Sequence, residues 1–116
     1  MKILLHHNLP KRLCGLLASH QPKTTRQMGW EKLGNGILLK TAADAEFGAF
    51  LSIDKKLEHE QNLSKLPLPV IVIDGVSNAL PDLMAFVPFI LELLKIPLDR
   101  VVYVIREDGR VDKIPC

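Results

Sequence analysis

Two adjacent histidines, His6 and His7, close the short apolar run Ile3-Leu4-Leu5, and Asn8 follows at once. Asp54 closes a second apolar run that begins at Ala49, and Asp74 closes a third, Val70-Ile71-Val72-Ile73. Ser77 and Asn78 come shortly after Asp74. Imidazole and carboxylate are the side chains that move protons and ligate divalent cations. In an open parallel sheet, ligands sit beyond the carboxyl ends of the strands, near the point where strand order reverses. If the three runs are parallel strands, these groups gather at one edge of the sheet although they are far apart in the chain. Each has a plainer role as well. Asp54 and Asp74 suit turns, Asn8, Ser77 and Asn78 suit helix N-caps, and Lys55 and Lys56 suit a solvated surface. His6 and His7 would point to opposite faces of a strand, so they do not form a two-histidine clamp.

The elements that must position these groups are legible in the hydrophobic pattern. Lys2 to His6 reads as a buried strand, followed by a helix from Leu9 to about His20 that carries Leu9, Leu13, Leu16 and Leu17 at helical spacing. Its N-terminus beside Asn8 would favour an anion. A short strand is expected around Lys23-Thr24-Thr25, with Arg26 behind it, and a loop at Met28-Gly29-Trp30 in which Trp30 packs over the core. A helix runs from Asn35-Gly36 to about Glu46, burying Leu38, Leu39, Ala42 and Ala43. Strands follow over 49–53 and 69–73, separated by a polar turn and loop over 55–65. The next helix extends from Ser77-Asn78 to about Lys95. Its core stripe is Leu80, Leu83, Met84, Val87, Leu91 and Leu94, and Pro88 kinks it. Phe86, Phe89 and Leu93 form a second apolar strip on that helix, which suggests a homodimer surface. A strand over 100–105 and a turn at Glu107-Asp108-Gly109 then return 110–114 as a hairpin arm. Strands alternating with crossovers of ten or more residues mean an α/β fold with a mainly parallel sheet.

Composition narrows the functional classes. The 116 residues suit a single domain over 1–116, and 47% apolar against 24% charged residues argue against disorder. A net charge of +2 neither advertises nor excludes nucleic acid. No apolar run is long enough to span a membrane, and the opening run is too short for a signal-peptide core. Cys14 and Cys116 show no metal or disulfide spacing, so a cytoplasmic protein with reduced thiols is expected.

The opening Met1-Lys2-Ile3-Leu4-Leu5 with Asn8-Leu9-Pro10 resembles the start of the DUF5615 family of PIN-like proteins. So do Met28-Gly29-Trp30, Asn35-Gly36-x-Leu38-Leu39, the Asp54 turn, Gln61-Asn62-Leu63 and Ser77-Asn78-x-Leu80-x-Asp82-Leu83, in order and spacing. The resemblance covers nearly the whole chain. It implies the PIN-like three-layer α/β/α sandwich and kinship with metal-dependent ribonucleases, many of them toxins paired with an antitoxin. On that reading the protein hydrolyses RNA with Mg²⁺ or Mn²⁺, Asp54 is the catalytic metal ligand, and His6 joins it. Asn8, Lys55, Ser77 and Asn78 would then contact the substrate. Gln61 and Asn62 match a segment close to the same pocket, and Arg26, just before Met28-Gly29-Trp30, is placed to line the same side. Two positions depart from the family pattern. His6 stands where the family's first carboxylate usually is, and Ile37 stands where an acid usually follows Asn-Gly. An imidazole with one carboxylate favours a softer ion such as Mn²⁺, Zn²⁺ or Ni²⁺ over Mg²⁺. Asp44, Glu46 and Asp74 are the carboxylates available to replace the missing ones. The alternative is a catalytically degenerate PIN-like domain that needs no metal and binds a protein or nucleic acid.

Overall fold

In a computed structural model, which describes residues 1–58 and 66–114, six strands form one sheet in the order β2-β1-β3-β4-β5-β6. They are β1 (Lys2–Leu5), β2 (Gln21–Thr24), β3 (Ala49–Ser52), β4 (Val70–Ile73), β5 (Val102–Ile105) and β6 (Val111–Ile114). The first five are parallel, and β6 turns back antiparallel on β5. The central strands β3, β4 and β5 are buried along their whole length, as strands covered on both faces must be. At the edge, β2 carries Pro22 and Lys23, which suit a position with one unpaired side.

Alternation along each strand sorts the side chains into two cores. Ile3, Leu5, Leu51, Ile71, Ile73 and Ile105 pack with the helices α1 (Leu13–Leu16), α3 (Leu80–Met84) and α4 (Val87–Leu93). Leu4, Phe50, Val70, Val72, Val102 and Val104 pack with α2 (Asn35–Asp44) and with Leu57 of the 3₁₀ turn Lys55–Glu58. Trp30 packs against this second core, its ring edge-on to Phe47 with centroids 5.9 Å apart. Within α2, Leu38, Leu39 and Ala42 are buried, while Ala43 is only partly so.

Four expectations fail, each for a local reason. The helix expected over Leu9–His20 is one α-helical turn, Leu13–Leu16, flanked by tight turns in which Leu13, Cys14 and Gly15 N–H donate three residues back. Gly15 lies inside it and costs helix stability, and the leucines reach the core from turns as well as from a helix. Arg12 occupies the N-cap, so Asn8 caps nothing. The helix expected over Ser77–Lys95 is two helices, broken at Ala85-Phe86. Pro88 has no N–H to give an uninterrupted helix, and it is accommodated in the first turn of α4 instead. The break shifts the buried face to Leu83, Phe86, Ile90, Leu93 and Leu94, and leaves Met84 51% exposed. The strip proposed for a dimer therefore belongs to the monomer's own core. Phe86 and Leu93 are buried there, and Phe89 lies over Gly109, whose φ of +88° suits glycine. A Cβ at Gly109 would fall 2.8 Å from the Phe89 ring.

Candidate functional site

Strand order reverses between β1 and β3, because β2 lies on one side of β1 and all later strands on the other. The crevice outside the carboxyl ends of these two strands is where the sheet invites a ligand. His6 follows β1, and Ser52 ends β3. Ser52 is fully buried and is the hub of the crevice. Its Oγ lies 3.0 Å from His6 Nδ1, accepts the Asp54 N–H at 3.0 Å, and lies 3.4 Å from Asn8 Nδ2.

Ser52 Oγ receives the N–H of Asp54, and the Asn8 amide lies beside it. A hydroxyl both donates and accepts, so its bond to His6 Nδ1 runs in the direction that the imidazole tautomer sets. Burial favours the neutral ring, since it pushes the His6 pKa down; neighbouring His7 adds to this and Asp54 opposes it. The ring is held by two further contacts, edge-on to His7 at 4.5 Å between centroids and tilted on Phe50 at 5.4 Å. His7 Nδ1 lies 3.0 Å from Thr25 Oγ1 on the other side, as strand alternation requires.

Asp54 serves its own turn. Its Oδ1 accepts the Lys56 N–H at 3.0 Å, at the start of the 3₁₀ turn Lys55–Glu58. Asn78 reaches the crevice by donating from Nδ2 to the Asn8 carbonyl at 3.1 Å. Ser77 is directed elsewhere: its hydroxyl donates to Asp82 Oδ2 and accepts the Ala79 N–H at the start of α3. Lys55 Nζ is 2.9 Å from Asp74 Oδ1, and Arg106 Nη1 is 3.0 Å from Asp74 Oδ2. Hydrogen bonds from these two cations hold the Asp74 carboxyl below the usual carboxylate range. Asp44 and Glu46 are exposed near the end of α2, and Ile37 is 65% exposed at its start. Burial pushes the Cys14 thiol up, away from the reactive thiolate. His59, Glu60, Gln61, Asn62 and Cys116 lie outside the described residues.

The strand-end rule thus places Ser52 with His6, Asn8 and Asp54 at one crevice and reaches Asn78 at its rim, but it gives Ser52 no role as their hub. The available signal is a lone hydroxyl ending an otherwise apolar strand, Ala49-Phe50-Leu51-Ser52. The described residues of the crevice offer a metal ion few ligands. Among the described residues no three His, Cys, Asp or Glu side chains converge. His6 Nδ1 is engaged by Ser52, and one Asp54 oxygen is already bonded to backbone. Mg²⁺ needs several oxygen ligands in near-octahedral array. No helix among the described residues is long and apolar enough to cross a membrane. Set beside family models, curated proteins and solved structures, the chain matches none of them.

Proposed function

We propose that this chain is a PIN-like three-layer α/β/α domain, related to the DUF5615 family, whose strand-end crevice binds RNA without hydrolysing it. The observation that carries this reading is the His6–Ser52–Asp54 hydrogen-bond knot. It occupies the place where metal-dependent phosphodiester hydrolysis needs converging carboxylates to hold its ions. What the crevice offers instead is a set of neutral polar groups, the His6 ring and the amide of Asn78. These suit phosphate, sugar hydroxyls and base edges, which RNA displays together. Lys11 and Arg26 flank the crevice on the β2 side and add positive charge to that edge for a phosphate backbone.

The test is a pair of assays on the same labelled single-stranded RNA. Fluorescence anisotropy is expected to show saturable binding that weakens as salt rises. Incubation with Mg²⁺ or Mn²⁺ is expected to leave the RNA intact. Cleavage that depends on the divalent ion and disappears in Asp54→Asn would overturn the proposal in favour of the toxin-type ribonuclease. Absence of both binding and cleavage would overturn both readings.

A further inference from the structure

Beside the crevice, between the ends of β1 and β2, lies a cavity of about 200 Å³ lined by His7, Leu9, Lys11, Thr24, Arg26 and Gln27. We propose that it is a binding site for a phosphate monoester. Among the described residues the lining holds two cations and an imidazole and no carboxylate. Its walls are braced before any ligand arrives. The Thr24 N–H donates to Gln27 Oε1 at 2.9 Å, and the Gln27 N–H donates back to Thr24 Oγ1 at 3.0 Å. His7 is held from behind by Thr25, which is fully buried. Arg26 is steadied through Nε by Glu31 Oε2 at 3.0 Å, and that bond leaves both terminal nitrogens of its guanidinium for another partner. Lys11 has no ion pair among the described residues.

The chemistry of these groups selects the ligand. A small concave site lined by an arginine and a lysine favours a compact dianion over a singly charged diester, because each cation adds a charge-assisted bond. Thr24 and Leu9 are buried, so they form a floor that limits depth and excludes a bulky group. The phosphate of a mononucleotide and the phosphorylated end of an RNA strand share this chemistry. The inference rests on the cavity alone and does not require the RNA reading.

The experiment titrates the full chain with inorganic phosphate, with adenosine monophosphate and with adenosine, and then with one RNA carrying either a 5′-phosphate or a 5′-hydroxyl. Backbone amide NMR shifts locate each ligand. Inorganic phosphate and the monophosphate are expected to bind saturably and to move Thr24, Arg26 and Gln27, while adenosine does not. Lys11→Ala and Arg26→Ala, both at exposed positions, are each expected to weaken binding about tenfold. Arg26→Lys should recover only part of this loss. Tighter binding of the 5′-phosphorylated RNA, lost in the same variants, would identify a strand end as the source. Equal binding of the two RNAs, alongside monophosphate binding, would identify a free mononucleotide-like ligand. Failure of phosphate and monophosphate to bind, or binding that both alanine variants leave unchanged, would overturn the proposal whatever the RNA does.

Discussion

The two halves of the sheet's carboxyl edge treat polar side chains in opposite ways. At the ends of β4 and β5, Asp74 sits between Lys55 and Arg106, and Arg106 also meets Asp112 of β6 through Nε at 2.8 Å. Each of these four charges has an opposite charge beside it. At the ends of β1 and β3, Ser52 gathers His6, Asn8 and the Asp54 backbone by neutral hydrogen bonds. The ionic half is exposed enough for water to screen it, whereas the neutral half is built on a fully buried hydroxyl. A partly exposed ion-pair network is replaceable. A buried hydroxyl with several partners is not, because its loss strands each of them.

The largest effect should therefore come from the smaller side chain. Ser52→Ala removes one oxygen and leaves His6 Nδ1 and the Asp54 N–H without their partner. We expect a loss of about 2 kcal/mol in urea unfolding, the usual scale for stranding buried polar groups. An effect below that of the ion-pair variants would break the comparison. Arg106→Ala should cost less, about 1 kcal/mol, and its cost should shrink as salt rises. Removing Arg106 also takes away one of the cations that hold Asp74 low. A carboxylate lowered in the folded state contributes stability above its unfolded pKa and loses it as pH falls. The variant should therefore lose less further stability on acidification through the carboxylate range than the wild type does.

Acidification sharpens the same contrast through His6. Its pKa is lowered in the folded state by burial and by His7, so the unfolded chain binds the proton first. Stability is then greatest above the ordinary histidine value of 6.5 and falls as pH drops below it. A protonated Nδ1 would also compete with the Ser52 hydroxyl for the hydrogen between them. We expect thermal unfolding to come at lower temperature at pH 5.5 than at pH 7.5, and His6→Gln to flatten that slope. An unchanged slope in the variant would mean that the His6 ring is not the group that titrates.

Much of the fold is legible because the strands are unambiguous. Val70-Ile71-Val72-Ile73 and Ala49-Phe50-Leu51 have no polar residue to face water, which fixes them in the sheet's interior. The helical segments are harder, because leucine spacing records what is buried and not the hydrogen bonds that bury it. Leu9, Leu13 and Leu17 are all buried although a single α-helical turn links them. After Ser77 the spacing admits two apolar faces, and only the break before Pro88 decides between them. At the site, residue types at strand ends locate the crevice. Position at a strand end marks Ser52 as well, but its role as hub depends on burial and on partners distant in the chain.

The smallest effect is the most discriminating. Asp54 gives one carboxylate oxygen to the Lys56 N–H, and asparagine keeps an oxygen in that place. Asp and Asn are nearly equivalent in such caps, so Asp54→Asn should change stability by less than about 0.5 kcal/mol. Asp54→Ala removes the acceptor and should cost about 1 kcal/mol. A carboxylate kept for a cation behaves otherwise, because neutralising it would abolish any stabilisation by Mn²⁺ while the alanine and asparagine variants behaved alike. Comparing melting temperatures of wild type, Asp54→Asn and Asp54→Ala with and without Mn²⁺ separates the two. A turn-forming Asp54 gives an order set by the oxygen and indifferent to the metal. A metal-bearing Asp54 gives an order set by the charge, and the two halves of the strand edge would then differ in function as well as in construction.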